Sequence, residues 1–84
     1  MTIFQKRLKA LRTERSLTQG ELGKSMNLST SGVSNYENGY STPDLEMLKK
    51  LADYFDVSVD YLMGQSNMKQ SPEGVTRIGV IGKN

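Results

Sequence analysis

Apolar residues recur at helical spacing from the start of the chain. Phe4, Leu8 and Leu11 fall on one face of a segment that is otherwise polar or charged, which predicts a first helix over residues 2–14. A three-part signature then repeats. An apolar residue comes first, a Ser or Thr directly follows it, and a second apolar residue stands four positions beyond the hydroxyl: Leu17-Thr18-Leu22, Leu28-Ser29-Val33 and Val57-Ser58-Leu62. The hydroxyl is an N-cap, able to accept from an unpaired N–H of the first turn. The flanking apolar pair forms a hydrophobic staple. At Thr18 the cap is reinforced, because Glu21 can reach back to the Thr18 N–H and complete a capping box. Helices are therefore predicted over residues 18–26, 29–37 and 59–63. Between them, Pro43-Asp44 opens a further helix with Asp44 as cap. Leu45, Leu48, Leu51, Ala52 and Phe55 carry its apolar stripe. Gly64 closes the last helix as a C-terminal glycine does. The fold class expected is all-α, a compact bundle of five short helices.

The second and third helices are separated by very little chain. Asn27 stands where the backbone must turn left-handed, a conformation Asn tolerates better than most residues. Gly23 lacks a side chain where the two helices should cross, which offsets its cost in helix propensity through close approach. Asn38-Gly39 then signals the turn out. These features predict a tight helix-turn-helix, the device that sets a helix in the major groove of DNA. A third helix of this register turns Val33 and Tyr36 inward and presents Thr30, Ser31, Ser34 and Asn35 outward. Taken alone, such small polar residues describe any helix surface; the surrounding motif is what makes them candidates for base contact.

The strings TQGELGKSMNLSTSGVSNYENG and TPDLEMLKKLADYFDVSVDYLMG resemble the helix-turn-helix domain of phage repressor and Cro-type regulators. That family is also called lambda-repressor-like or xenobiotic-response-element. The resemblance covers about residues 2–64. The family usually has Gly where this chain has Asn27, and Ala where it has Gly23; both replacements keep the physical role. The resemblance implies a sequence-specific double-stranded DNA-binding transcriptional regulator, most often a repressor of phage or prophage type, with helix 3 in the major groove. It assigns base contacts to Thr30, Ser31 and Asn35, with Ser34 added by the helix geometry. Asn pairs with adenine N6/N7 and the Thr methyl packs on that of thymine. Helix 3 holds no Arg or Lys, so A·T pairs are expected where Asn35 lands. Phosphate contacts are expected from Gln19, Ser29, Asn38, Tyr40, Thr42 and Lys24. The resemblance further implies an Arg12–Glu37 ion pair bracing helix 1 against helix 3. It also implies a homodimer on a palindromic operator, with Val59, Tyr61 and Met63 as interface candidates.

Composition narrows the classes. The 84 residues include neither Cys nor His, removing disulfides, thiolate metal sites and the commonest general base. No cofactor, metal site or catalytic residue is expected, and the chain does not read as an enzyme. No apolar run approaches the ~20 residues that span a bilayer, and no signal peptide is recognisable, so a cytoplasmic protein with no membrane partner is expected. Charge is unevenly placed: residues 1–40 sum to +3 and residues 41–66 to −3. Such polarity could turn a basic end to phosphates, although charge alone favours the reading of a mixed, solvated surface. The domain is expected to occupy residues 1–66. Residues 67–84, which hold Pro72 and three glycines past Ser71, read as a linker or flexible C-terminal tail. That tail motivates the alternative reading, a DNA-binding fragment or antitoxin-like interaction module whose tail binds a protein partner.

Overall fold

A computed structural model describes residues 2–70. Five helices follow one another: α1 (Ile3–Glu14), α2 (Gln19–Met26), α3 (Thr30–Asn38), α4 (Leu45–Phe55) and α5 (Val59–Met63). Each begins one residue after a side chain that accepts from its first turn. Thr2, Thr18, Ser29, Asp44 and Ser58 all sit in extended backbone and cap in this way. Capping boxes close at both Thr2, with Gln5, and Thr18, with Glu21. Three helix ends turn left-handed where expected, at Asn27, Gly39 and Gly64. Two more do so without a sequence signal strong enough to predict them, Ser16 after α1 and Asp56 after α4.

The core draws one fully buried side chain from every helix: Leu8, Leu22, Val33, Leu51 and Leu62. Three of these are the second members of the staples, so the local signals that start α2, α3 and α5 also fill the centre. Burying each such side chain stabilises the fold by about 1.5–3 kcal/mol. Phe4, Leu11, Met26, Leu48, Ala52, Phe55 and Val57 complete the interior.

Helix α1 is the middle of the molecule. Its Arg12 faces α3, while its Arg7 and Glu14 lie about 200° away around the helix axis, on the opposite flank. That opposite flank holds the chain as it leaves α5. Arg7 donates from Nη1 to the Ser66 carbonyl at 2.7 Å and from Nη2 to Asn67 Oδ1 at 2.8 Å. Its guanidinium also covers the Tyr61 ring at 4.0 Å. Further on, the Ser58 N–H donates to the Lys69 carbonyl, Gln70 donates to the Asp56 carbonyl, and Lys69 approaches Glu14 at 3.5 Å. These contacts continue past the boundary expected at residue 66; the rest of the expected tail, 71–84, lies outside the described residues.

Candidate nucleic-acid interface

The angle between α2 and α3 is set by a near-contact of backbones. A Cβ built on Gly23 would lie 2.7 Å from the Leu28 carbonyl oxygen and 3.0 Å from that of Ser29, closer than real carbon atoms approach. Without a Cβ at position 23 the turn folds onto α2 with no shift of the Leu28 carbonyl. The Leu28 N–H donates to the Gly23 carbonyl at 2.7 Å, and Asn27 adopts φ +60° between them. Nearer the start of α2, a Cβ on Gly20 would lie 3.1 Å from Thr30 Oγ1. The first turn of α3 therefore rests directly on α2.

The inner side of α3 is held by Val33 and by Glu37, which is 3% exposed and the only buried charged residue among those described. Glu37 takes a bidentate grip from Arg12, 2.6 Å from Nε and 3.1 Å from Nη2. Arg12 Nη1 also donates to the Leu17 carbonyl at 2.7 Å. Gln19 adds its Nε2 to Glu37 Oε1 at 3.2 Å. One carboxylate thus joins the end of α3 to α1 and to the first residue of α2. No buried side-chain polar atom among the described residues is left without a partner, so the network is closed.

The outer side of α3 carries Thr30, Ser31 and Asn35, all exposed. Ser34 is half-buried and accepts from Asn38 Nδ2 at 3.1 Å. Around this face stand the residues expected to reach phosphate. Ser29 is exposed, but its Oγ already accepts from the Gly32 N–H. Asn38, Thr42 and Lys24 are exposed, and Tyr40 is 82% exposed. Gln19 is half-buried, with one amide proton committed to Glu37. Thr42 also borders a cavity of about 210 Å³ between the start of α1, Tyr36 and Met63.

A model of the helix-turn-helix family matches residues 8–62. The chain belongs to this family. It is 38% identical over 68 residues to the HTH-type transcriptional regulator ImmR of Bacillus subtilis, covering 81% of this chain and 54% of that protein. It is 35% identical over 68 residues to the immunity repressor protein of Bacillus phage phi105, covering 81% of this chain and 46% of the phage protein. The HTH-type transcriptional activator BcrR of Enterococcus faecalis is 35% identical over 60 residues, covering 71% of this chain and 29% of its own. The chain thus spans about half the length, or less, of these curated relatives. Among solved structures, the P22 c2 repressor in complex with a synthetic operator superimposes with a TM-score of 0.72. Their identity is 27%, over 79% of this chain and all of that one.

Within this helix-turn-helix domain the five-helix, all-α architecture agrees with the sequence reading. Half of the cations of residues 1–40 are held in contacts within the domain. Arg7 and Arg12 are tied as described above, and Arg15 donates to the Tyr54 carbonyl at 2.9 Å while lying against the Tyr54 and Phe55 rings. Of the six cations in residues 1–40, Lys6, Lys9 and Lys24 remain as exposed side chains outside such contacts. Two features of the site escaped the sequence: the Gln19–Glu37 hydrogen bond and the seat of Thr30 on Gly20. Both join residues far apart along the chain, and no spacing rule reports them. The interface candidates are unequal. Val59 and Tyr61 are half-buried against the core, Tyr61 beneath Arg7, whereas Met63 is 39% exposed. No helix among the described residues is long and apolar enough to cross a membrane.

Proposed function

We propose that this chain is a sequence-specific, double-stranded DNA-binding transcriptional regulator that lays α3 in the major groove. The observation that carries the reading is the two-sidedness of α3. Its inner side is locked by Val33 and the Arg12–Glu37–Gln19 network, while Thr30, Ser31 and Asn35 face solvent. A rigid helix with a free polar edge is what direct readout needs. Asn35 offers a donor and an acceptor suited to adenine, and Thr30 and Ser31 offer small hydroxyls near the helix start. The dipole of α2, the remaining Gln19 amide proton, Ser29, Lys24 and the loop bearing Asn38, Tyr40 and Thr42 supply phosphate contacts that fix register.

The phage immunity repressor among the relatives favours repression by occlusion of a promoter. Two copies pair across a palindromic operator, with Met63 the most exposed candidate on α5. A cofactor has no part in this reading, and neither does catalysis. Selection of duplexes from a random pool at fixed salt tests it, followed by titration of the preferred and a scrambled duplex. A dimer neutralising about six phosphates should give a log–log salt slope near −5. Equal affinity for both duplexes would refute specific regulation.

A further inference from the structure

Glycine in the first turn of a helix is costly, by up to about 1 kcal/mol against alanine, and Gly20 is the second residue of α2. Unlike Gly23, it has no backbone pressed against it. What lies over it is a side chain of the proposed reading edge, Thr30 Oγ1, 3.1 Å from where a Cβ would stand. Thr30 is the first residue of α3. A threonine inside a helix can hold its hydroxyl on a carbonyl one turn back, as Thr13 does on Lys9 and Ala10. At the first position no carbonyl of its own helix lies one turn back, and Oγ1 stands instead over Gly20.

We propose that Gly20 is a specificity-determining positioning residue: by leaving room for the Thr30 hydroxyl against α2, it decides which group Thr30 shows to a base. With Oγ1 turned onto α2, the methyl is the only other heavy group on Cβ. It is the group suited to the C5-methyl of thymine. A Cβ at position 20 leaves the hydroxyl a few tenths of an ångström short of room; the rotation that relieves this shows a hydroxyl in place of the methyl at the groove. Gly20 has no side chain to reach a base and acts through Thr30. The proposal rests on the DNA-reading function above and deepens it.

The test compares the wild-type chain, Gly20→Ala, Thr30→Ala and the double variant by selection from one random duplex pool. In free protein, the Thr30 χ1 is measured by NMR scalar couplings alongside thermal melting. Gly20→Ala should melt at the same temperature or higher, because alanine favours the helix. Its Thr30 χ1 population should shift. Its preference should relax at a single base pair, the one that Thr30→Ala also relaxes, by about fourfold, the worth of one buried methyl. In the Thr30→Ala background, Gly20→Ala should change nothing further. A merely structural role for Gly20 would move the melting temperature and leave the preference alone. If the wild-type chain selects a sequence and Gly20→Ala selects it identically, or if Gly20→Ala acts equally without Thr30, the positioning role is overturned while the DNA-reading function stands. A wild-type chain that selects no sequence overturns the function itself.

Discussion

The two flanks of α1 solve their packing differently. On the α3 flank, small residues admit α3 onto α2: Gly23 lets backbones meet, Gly20 leaves room for the Thr30 side chain, and Asn27 and Ser29 turn and cap the chain between the helices. The polar side chains of Thr30, Ser31 and Asn35 are consequently left outside. On the opposite flank, long cationic side chains close the gaps. Arg7 gathers the Ser66 and Asn67 oxygens and covers Tyr61, and Arg15 holds the end of α4. The contrast teaches that a positive charge count in this chain is no map of a phosphate-facing surface. The candidate reading edge of Thr30, Ser31 and Asn35 carries no cation, and Arg7 and Arg15 are structural fasteners elsewhere.

Substitutions at four positions separate the flanks, in order of expected size. Glu37→Ala strands Arg12 beside a vacated site at the joint between α1 and α3, and should cost about 3–5 kcal/mol. Calorimetry should show the melting temperature and DNA affinity falling together; affinity lost at unchanged stability would mean that the pair is not a brace. Gly23→Val should cost about 1–3 kcal/mol by forcing the Leu28 carbonyl away, with Gly23→Ala milder because its helix propensity gain of about 1 kcal/mol offsets part of the clash. Arg7→Ala should remove about 1–2 kcal/mol and the hydrogen-exchange protection around residues 66–70. It should leave sequence preference intact, and a changed preference would erase the distinction between flanks. Asn35→Ala is the mirror image. Stability should stay within about 0.5 kcal/mol while discrimination at one base pair weakens, read by competition between duplexes.

What could be read from the chain divides along the same line. Caps, staples and apolar spacing act within a turn or two, so α1, α2, α3 and α5 were legible to within a residue, as were the start of α4 and the buried partners Leu22, Val33 and Leu62. Asn27, Gly39 and Gly64 announced their left-handed turns by residue type. Ser16 and Asp56 did not; their φ near +57° belongs to helix ends closed by backbone bonds, from the Leu17 N–H to the Arg12 carbonyl and from the Val57 N–H to the Ala52 carbonyl. The fastening by Arg7 joins residues more than fifty positions apart, and nothing local encodes it. The same holds for Gln19 and Glu37, whose bond ties a residue expected at a phosphate to the internal network.

One consequence follows from the way Arg7 pins the polypeptide after α5. Gln70 is anchored at the Asp56 corner, on the rear of α1 with respect to α3. A reporter protein fused directly to Gln70 starts from that corner and not from the edge that bears Thr30, Ser31 and Asn35.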